Sequence, residues 1–347
     1  SSDVCSSDLS FFARLFFGGI AVARTKDAES GEQNADVLRQ CTDLLAAGGE
    51  LIVFPEGTSS LGPRHLPFKS GAARIALDAL ARGIPLRIVP LGIHYERAWA
   101  FRSKVEVVVG KTISTDLPEG LSELGRLKEM KRRMTAALEA VGTNFESAEA
   151  QTQAEQLAYA ATLGTRHAYF YSLKIFEAGV PESLRMRWQA LKPQLSGQRV
   201  LCHQGVPLFP VGPWILYALL LMVLGPVVLV GALANWLPLL GGWAASRKCA
   251  DDRNVIALWR ILVGLPLFVI WVVGIAVALA LIVSWVWVVS YLAITLVALG
   301  SLYRVKKLGV AVWNGVAHRP LVAPAHEFHQ AVVGHVDSNN KIGRAHV

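Results

Sequence analysis

Glu50-Leu51-Ile52-Val53-Phe54-Pro55-Glu56-Gly57-Thr58 sets a short apolar run directly against a proline–glycine turn. Four consecutive apolar residues, rich in β-branched and aromatic types, read as a strand. Pro55 and Gly57 end it. Upstream, residues 34–47 carry Val37, Cys41, Leu44 and Leu45 at helical spacing, and Gly48-Gly49 stops that helix. Further upstream, the apolar stretch ending in Gly19-Ile20-Ala21-Val22-Ala23-Arg24 reads as another strand. Downstream, residues 69–82 read as a helix with Ala73, Leu77 and Leu80 on one face. Residues 86–93 and 105–109 read as strands. Residues 121–141 form an amphipathic helix whose other face holds Arg126, Lys128, Lys131, Arg132 and Arg133. Strands alternating with helices predict an α/β domain with a largely parallel sheet. The turn at residues 55–58 then lies beyond the carboxyl end of a strand, where such sheets carry their chemistry.

The rest of the chain is of another kind. Of its 347 residues, 53% are hydrophobic and only 17% charged, and the mean hydropathy is +0.40. Soluble domains carry about a quarter charged residues. The apolar excess collects between Val206 and Tyr303. Trp214 to Trp243 is uncharged, broken by Gly225-Pro226 and Pro238, and Val255 to Tyr303 holds only Arg260 as a charge. A helix needs about 20 apolar residues to cross a bilayer. Three or four membrane segments are expected: the second stretch is long enough for two crossings, and the first fits one crossing or, as the loop charges favour, a broken re-entrant hairpin folded at Gly225-Pro226. Arg247, Lys248 and Arg253 on one side, and Arg304, Lys306 and Lys307 on the other, favour the cytoplasmic face. The net charge of +8 fits an anionic membrane surface, and no nucleic-acid motif accompanies it. The four cysteines form no C-x-x-C pair, and no metal site is expected.

Phe54-Pro55-Glu56-Gly57-Thr58 is followed by Pro67-Phe68-Lys69-Ser70-Gly71. Together they resemble the phospholipid/glycerol acyltransferases, whose blocks include F-P-E-G-T and P-F-K-x-G. Gly19 to Arg24 looks like the family's earlier G-x-x-x-x-R element, and Ile88-Val89-Pro90-Leu91-Gly92 like its later strand. The resemblance covers residues 16 to 145. It implies transfer of a fatty acyl group from acyl-CoA or acyl carrier protein, as co-substrate, to a glycerol-phosphate or lysophospholipid acceptor. No separate cofactor is implied. The acceptor alcohol needs a general base, which the family supplies as the His of a His-x4-Asp motif. The acceptor phosphate needs cations, and the tetrahedral intermediate needs hydrogen-bond donors.

Carried onto this chain, the resemblance makes Arg24 and Lys69 the phosphate contacts. Glu56, Gly57 and Thr58 shape the turn that receives the acceptor, with Glu56 holding a basic residue or an acceptor hydroxyl. The helix N-terminus after Lys69 also favours an anion. Two departures stand out. Ser59-Ser60 follow Thr58 where the family often has an arginine, and none of the nine histidines has an Asp five positions on. No catalytic base is therefore assigned. Residues 1–9 and 341–347 resemble translated adapter sequence, so the expectation is an N-terminally truncated, inactive enzyme. The alternative is a non-catalytic, lipid-binding membrane protein with the same fold. The expected layout is an acyltransferase domain over 10–145, a helical linker over 146–206, a transmembrane region over 207–305 and a polar tail over 306–347. Its partners are membrane lipids, the acyl donor and the glycerol-phosphate acceptor.

Overall fold

The computed structural model describes residues 30–57, 60–97, 100, 103–250 and 253–344. Arg24, Thr58 and the strand expected over residues 19–24 lie outside them. The chain divides into two compact units: Ser1–His94 with Val107–Asn144, and Tyr95–Glu106 with Phe145–Val347.

In the first unit, α1 (Ser30–Ala46) leads through Gly48 into residues 51–54. These residues are extended but pair with no strand among the described residues. Ile52 is 77% exposed and Phe54 72%. Next come α2 (Gly71–Ala81), β1 (Leu91–Tyr95), β2 (Val105–Val109) and α3 (Glu123–Val141). Sheet is confined to the β1–β2 pair, extended by an antiparallel bridge between Ile88 and Ile113. The described residues are thus mostly helical, and the largely parallel sheet expected from the alternation is not among them. A small core joins α2 to α3: Ala73, Ala76 and Met130 are buried, with Leu77, Leu80, Leu127 and Met134 around them. The helical spacing of these residues makes this contact, since residues three and four apart share a face. Gly92 is where β1 passes the end of α3, because a Cβ there would lie 2.1 Å from the Val141 carbonyl oxygen.

The amphipathic helix α3 is N-capped by Ser122, whose hydroxyl accepts the Gly125 N–H at 3.2 Å. Its basic face is partly tied down. Glu129 receives Arg132 and Arg133, each at 2.8 Å. Hydrogen bonds from Arg132 and then Arg133 hold the Glu129 carboxyl down at about 2. Arg133 also donates to the Ser114 and Asp116 carbonyls at 3.0 and 2.7 Å. That arginine fastens a loop rather than facing outward.

The second unit begins with α4 (Ala148–Thr162), α5 (Tyr169–Glu177) and α6 (Glu182–Gly197). A tight hairpin follows, β3 (Cys202–His203) against β4 (Val206–Pro207), in antiparallel register. Its two turn residues, Gln204 and Gly205, have φ of 55° and 76°. Positive φ at both positions matches the right-handed twist of a two-residue hairpin. Then come α7 (Trp214–Ala234), α8 (Trp236–Lys248), α9 (Ile256–Ile282), α10 (Trp285–Ala317) and α11 (Val322–Arg344).

Three of these, α7, α9 and α10, are long and apolar enough to cross a membrane. Their outward side chains are apolar: Leu281 and Ile282 are 82% and 81% exposed. The hairpin expected at Gly225-Pro226 does not form, because α7 runs through Pro226 and ends at Asn235. Apolar surroundings offer the backbone no water, so a helix carrying a proline is favoured over an open turn. The break at Asn235 is fully bonded instead. Its amide donates to Gly231 O at 2.8 Å and Thr295 Oγ1 at 3.2 Å, and its oxygen accepts the Tyr291 hydroxyl at 2.9 Å.

The segment expected as a polar tail is helical and packed. Residues to Ala317 continue α10. Beyond it, Leu321, Ala325, Phe328, Val332 and Val336 join the buried cluster of α4, α5 and α6. Their spacing of three and four is that of one helix face. Few apolar residues in a polar sequence suffice when all lie on one stripe.

Candidate active site

The turn after residues 51–54 closes by a hydrogen bond from Gly57 N–H to Phe54 O at 3.1 Å. Gly57 has φ +70°, a left-handed conformation that a side chain disfavours. The chain then loops out and returns, and Lys69 N–H donates to Pro55 O at 2.8 Å. This return lays the Lys69 side chain over the turn. A Cβ on Gly57 would come 2.8 Å from Lys69 Nζ. The bare Cα of Gly57 therefore leaves room for the ammonium.

Glu56 points to a different partner. Its carboxylate meets His65 Nδ1 at 3.0 Å and accepts the Leu66 N–H at 3.3 Å. Both side chains are partly buried. His65 N–H in turn donates to Asn144 Oδ1 at 2.8 Å. The His65 ring lies 5.6 Å from that of Phe68, and its Nε2 is buried with no hydrogen-bond partner. Between Lys69 and α2, Ser70 is the N-cap but makes no side-chain cap. The first N–H groups of α2 are left without that partner, beside a cation, which favours an anion.

Of the residues expected from the sequence, Glu56, Gly57 and Lys69 share this one turn. Arg24 and Thr58 fall outside the described residues. The basic partner foreseen for Glu56 is His65, which the sequence reading passed over. The signal was present, since His65 stands directly before Leu66-Pro67-Phe68-Lys69. What concealed it is that Glu56 lies nine positions away across a loop, outside any local period.

Comparison with known proteins places this turn in context. Residues 6–94 match a family model described as Acyltransferase. The match starts inside the segment set aside as adapter-like. Over 85 residues the chain is 35% identical to glycerol-3-phosphate O-acyltransferase 2 of Saccharomyces cerevisiae, covering 24% of this chain and 11% of that protein. It is 42% identical over 55 residues to a 1-acyl-sn-glycerol-3-phosphate acyltransferase of Chlamydomonas reinhardtii, covering 16% and 17%. With a probable 1-acyl-sn-glycerol-3-phosphate acyltransferase of Mycoplasma pneumoniae it shares 39% over 70 residues, covering 20% and 26%. The alignments thus span about a quarter or less of these relatives. No solved structure matches the chain significantly. Residues 6–94, which hold the Pro55–Gly57 turn, thus carry a domain similar to the acyltransferase family.

Proposed function

We propose that this protein serves glycerophospholipid synthesis, in the transfer of a fatty acyl group from acyl-CoA or acyl carrier protein to a hydroxyl of a glycerol-phosphate or lysophospholipid acceptor. The observation that carries the reading is the placement of the Lys69 side chain over the Gly57 turn, just before the start of α2, whose N-cap Ser70 makes no side-chain cap. Together they form a cationic, donor-rich corner suited to a phosphate. The Glu56–His65 contact holds the loop that delivers Lys69. The acceptor phosphate rests against Lys69, with Arg24 and Thr58 completing the contact in this reading. The helices α7, α9 and α10 anchor the protein in the bilayer, with the acyltransferase domain on the cytoplasmic face. Membrane lipids and the acyl donor are its partners, and it uses no separate cofactor.

The 347-residue chain contains no His-x4-Asp. A general base for the acceptor hydroxyl is then missing, and the chain binds acceptor without turning it over. The test is calorimetric titration of the full chain in detergent with glycerol 3-phosphate and with glycerol, beside a labelled acyl-CoA assay. Glycerol 3-phosphate should bind and glycerol should not. Lys69→Ala should weaken binding about tenfold, roughly 1.4 kcal/mol, the scale of a hydrogen bond to a charge. Equal binding of both ligands would refute the phosphate corner. Measurable acyl transfer would refute the inactivity.

A further inference from the structure

The second unit holds a cavity of about 370 Å³. This is near the low end for small-ligand sites, which run from about 300 to 1,000 Å³. Its walls are mainly apolar, including Leu191, Leu220, Leu308 and Phe328. Its polar lining is almost wholly basic: Arg304, Lys307, His326 and His329. No acidic residue lines it.

The place of this cavity along the helices matters. At about 1.5 Å per residue, the 33 residues of α10 are some 50 Å long, more than the roughly 30 Å apolar thickness of a bilayer. The apolar run that starts at Trp285 ends at Tyr303, and Arg304 is the first charge after it. Tyr217 and Leu220, from the first two turns of α7, line the same cavity. One membrane helix enters and another leaves at this level, so the cavity sits where acyl chains meet headgroups.

The basic groups are not equivalent. Lys307 Nζ lies over the rings of Tyr303 and Tyr159, at 4.8 and 5.2 Å. His329 Nε2 donates to Leu163 O at 3.0 Å. Both have partners inside the protein. Arg304 is exposed and makes no ion pair or hydrogen bond among the described residues. His326 Nε2 is buried and has no hydrogen-bond partner. That nitrogen is closed off from the cavity, so among the basic lining groups Arg304 is the one left open to a ligand.

We propose that this cavity binds an anionic phospholipid of the bilayer, one acyl chain against the apolar walls and the phosphate on Arg304. An apolar slot with an unpaired guanidinium at its mouth complements that molecule in both halves. A zwitterionic lipid carries a second, positive charge against the same basic rim. The inference does not depend on the acyl-transfer reading, because every residue it uses lies in the helical unit.

The experiment uses the full chain in nanodiscs of phosphatidylcholine doped with phosphatidylglycerol. Lipid that survives a delipidating wash is counted by native mass spectrometry. Phosphatidylglycerol should be retained at about fivefold preference, the ratio that about 1 kcal/mol per basic residue gives. Arg304→Gln should abolish the preference and leave phosphatidylcholine retention as before, which also reports that the variant is folded. Lys306→Gln, two residues along on a different face of α10 and not lining the cavity, should change it less than about twofold. Equal retention of the two lipids would overturn the proposal. An equal loss with Lys306→Gln would overturn it too, by showing a diffuse basic surface. In a thermal-shift arm, stabilisation by inorganic phosphate alone would mean a bare anion site, and would also overturn it.

Discussion

The two units use buried polar side chains for opposite tasks. In the first unit, polar groups fasten loops. Glu56 holds His65 and the Leu66 N–H, and Arg133 holds the carbonyls of Ser114 and Asp116. These pairs are partly wet, and each shapes a short stretch of surface. In the second unit, polar groups join helices to one another or to a hairpin. Asn235 on the end of α7 bonds Tyr291 and Thr295 of α10. Asn314 is fully buried on α10 and takes three hydrogen bonds from the segment around β3 and β4: its amide donates to Leu201 O and Leu208 O at 2.7 and 2.8 Å, and its oxygen accepts Leu201 N–H at 3.0 Å. The difference follows from solvent. A loop at a wet surface has water as a substitute partner, so a lost bond costs little. Backbone groups enclosed among helices have none, so each loss leaves an unsatisfied atom.

This contrast can be broken by mutation. The largest effect should come from Asn314→Ala, which leaves the buried Leu208 carbonyl and the partly buried Leu201 N–H and carbonyl without this partner. At about 1–3 kcal/mol per unsatisfied group, with partial relaxation, the loss should be about 3–5 kcal/mol. Thermal unfolding of the full chain in detergent reads it. A loss under about 1 kcal/mol would show that water reaches the hairpin after all.

Next comes the packing of α7 on α10. A Cβ at Gly231 would lie 2.3 Å from Ala298 Cβ, whereas Gly274 on α9 has nothing within 4 Å. Gly231→Leu should destabilise by about 2–3 kcal/mol, the usual range for overpacking. Gly274→Leu should be neutral or mildly stabilising, because it points into open space. Equal effects would mean that the helix contact is not close.

In the first unit the corresponding change is smaller. Gly57→Ala forces a side chain into the left-handed region and displaces the Lys69 ammonium. The strain should cost about 1–2 kcal/mol. Glycerol 3-phosphate binding should fall with it, as measured by the same calorimetric titration. Unchanged binding would separate Lys69 from the turn.

The smallest effect is one of pH. His203 is buried, its Nδ1 meets the Tyr159 hydroxyl at 2.8 Å, and the positive Lys307 is nearby. Burial first, then the charge of Lys307, lowers its pKa to about 4. The folded form therefore resists protonation while the unfolded chain takes up a proton near 6.5. Stability should be full above pH 6.5 and decline as the pH falls toward 4, by less than about 1 kcal/mol at pH 6. His203→Gln should flatten this part of the profile in a pH series of melting temperatures.

Much of the helical layout was legible from local pattern. The spacing in residues 34–47, 69–82 and 121–141 anticipated α1, α2 and α3 to within a few residues. Residues 105–109 coincide with β2. Residues 51–54, read as a strand, are largely exposed and pair with no strand among the described residues, since strand pairing depends on a neighbour that local composition cannot supply. The turn at Gly225-Pro226 failed to form for a related reason. Proline breaks a helix in water, while in apolar surroundings the neighbouring backbone has no better partner than the helix itself.

The sequence by itself determined the elements whose causes are short-ranged. These are the two apolar stretches, the tight turn at Gly57 and the amphipathic faces, each set by residues within four positions of one another or by bulk hydropathy. Tertiary structure decided which distant groups meet. His65 reaches Asn144 across 79 positions, and Asn314 reaches Leu201 across 113. The basic rim of the cavity gathers Arg304 and His326 from two helices. Such meetings arise because burying apolar faces brings whole elements together, and the polar groups carried on them must then find partners or stand open to a ligand.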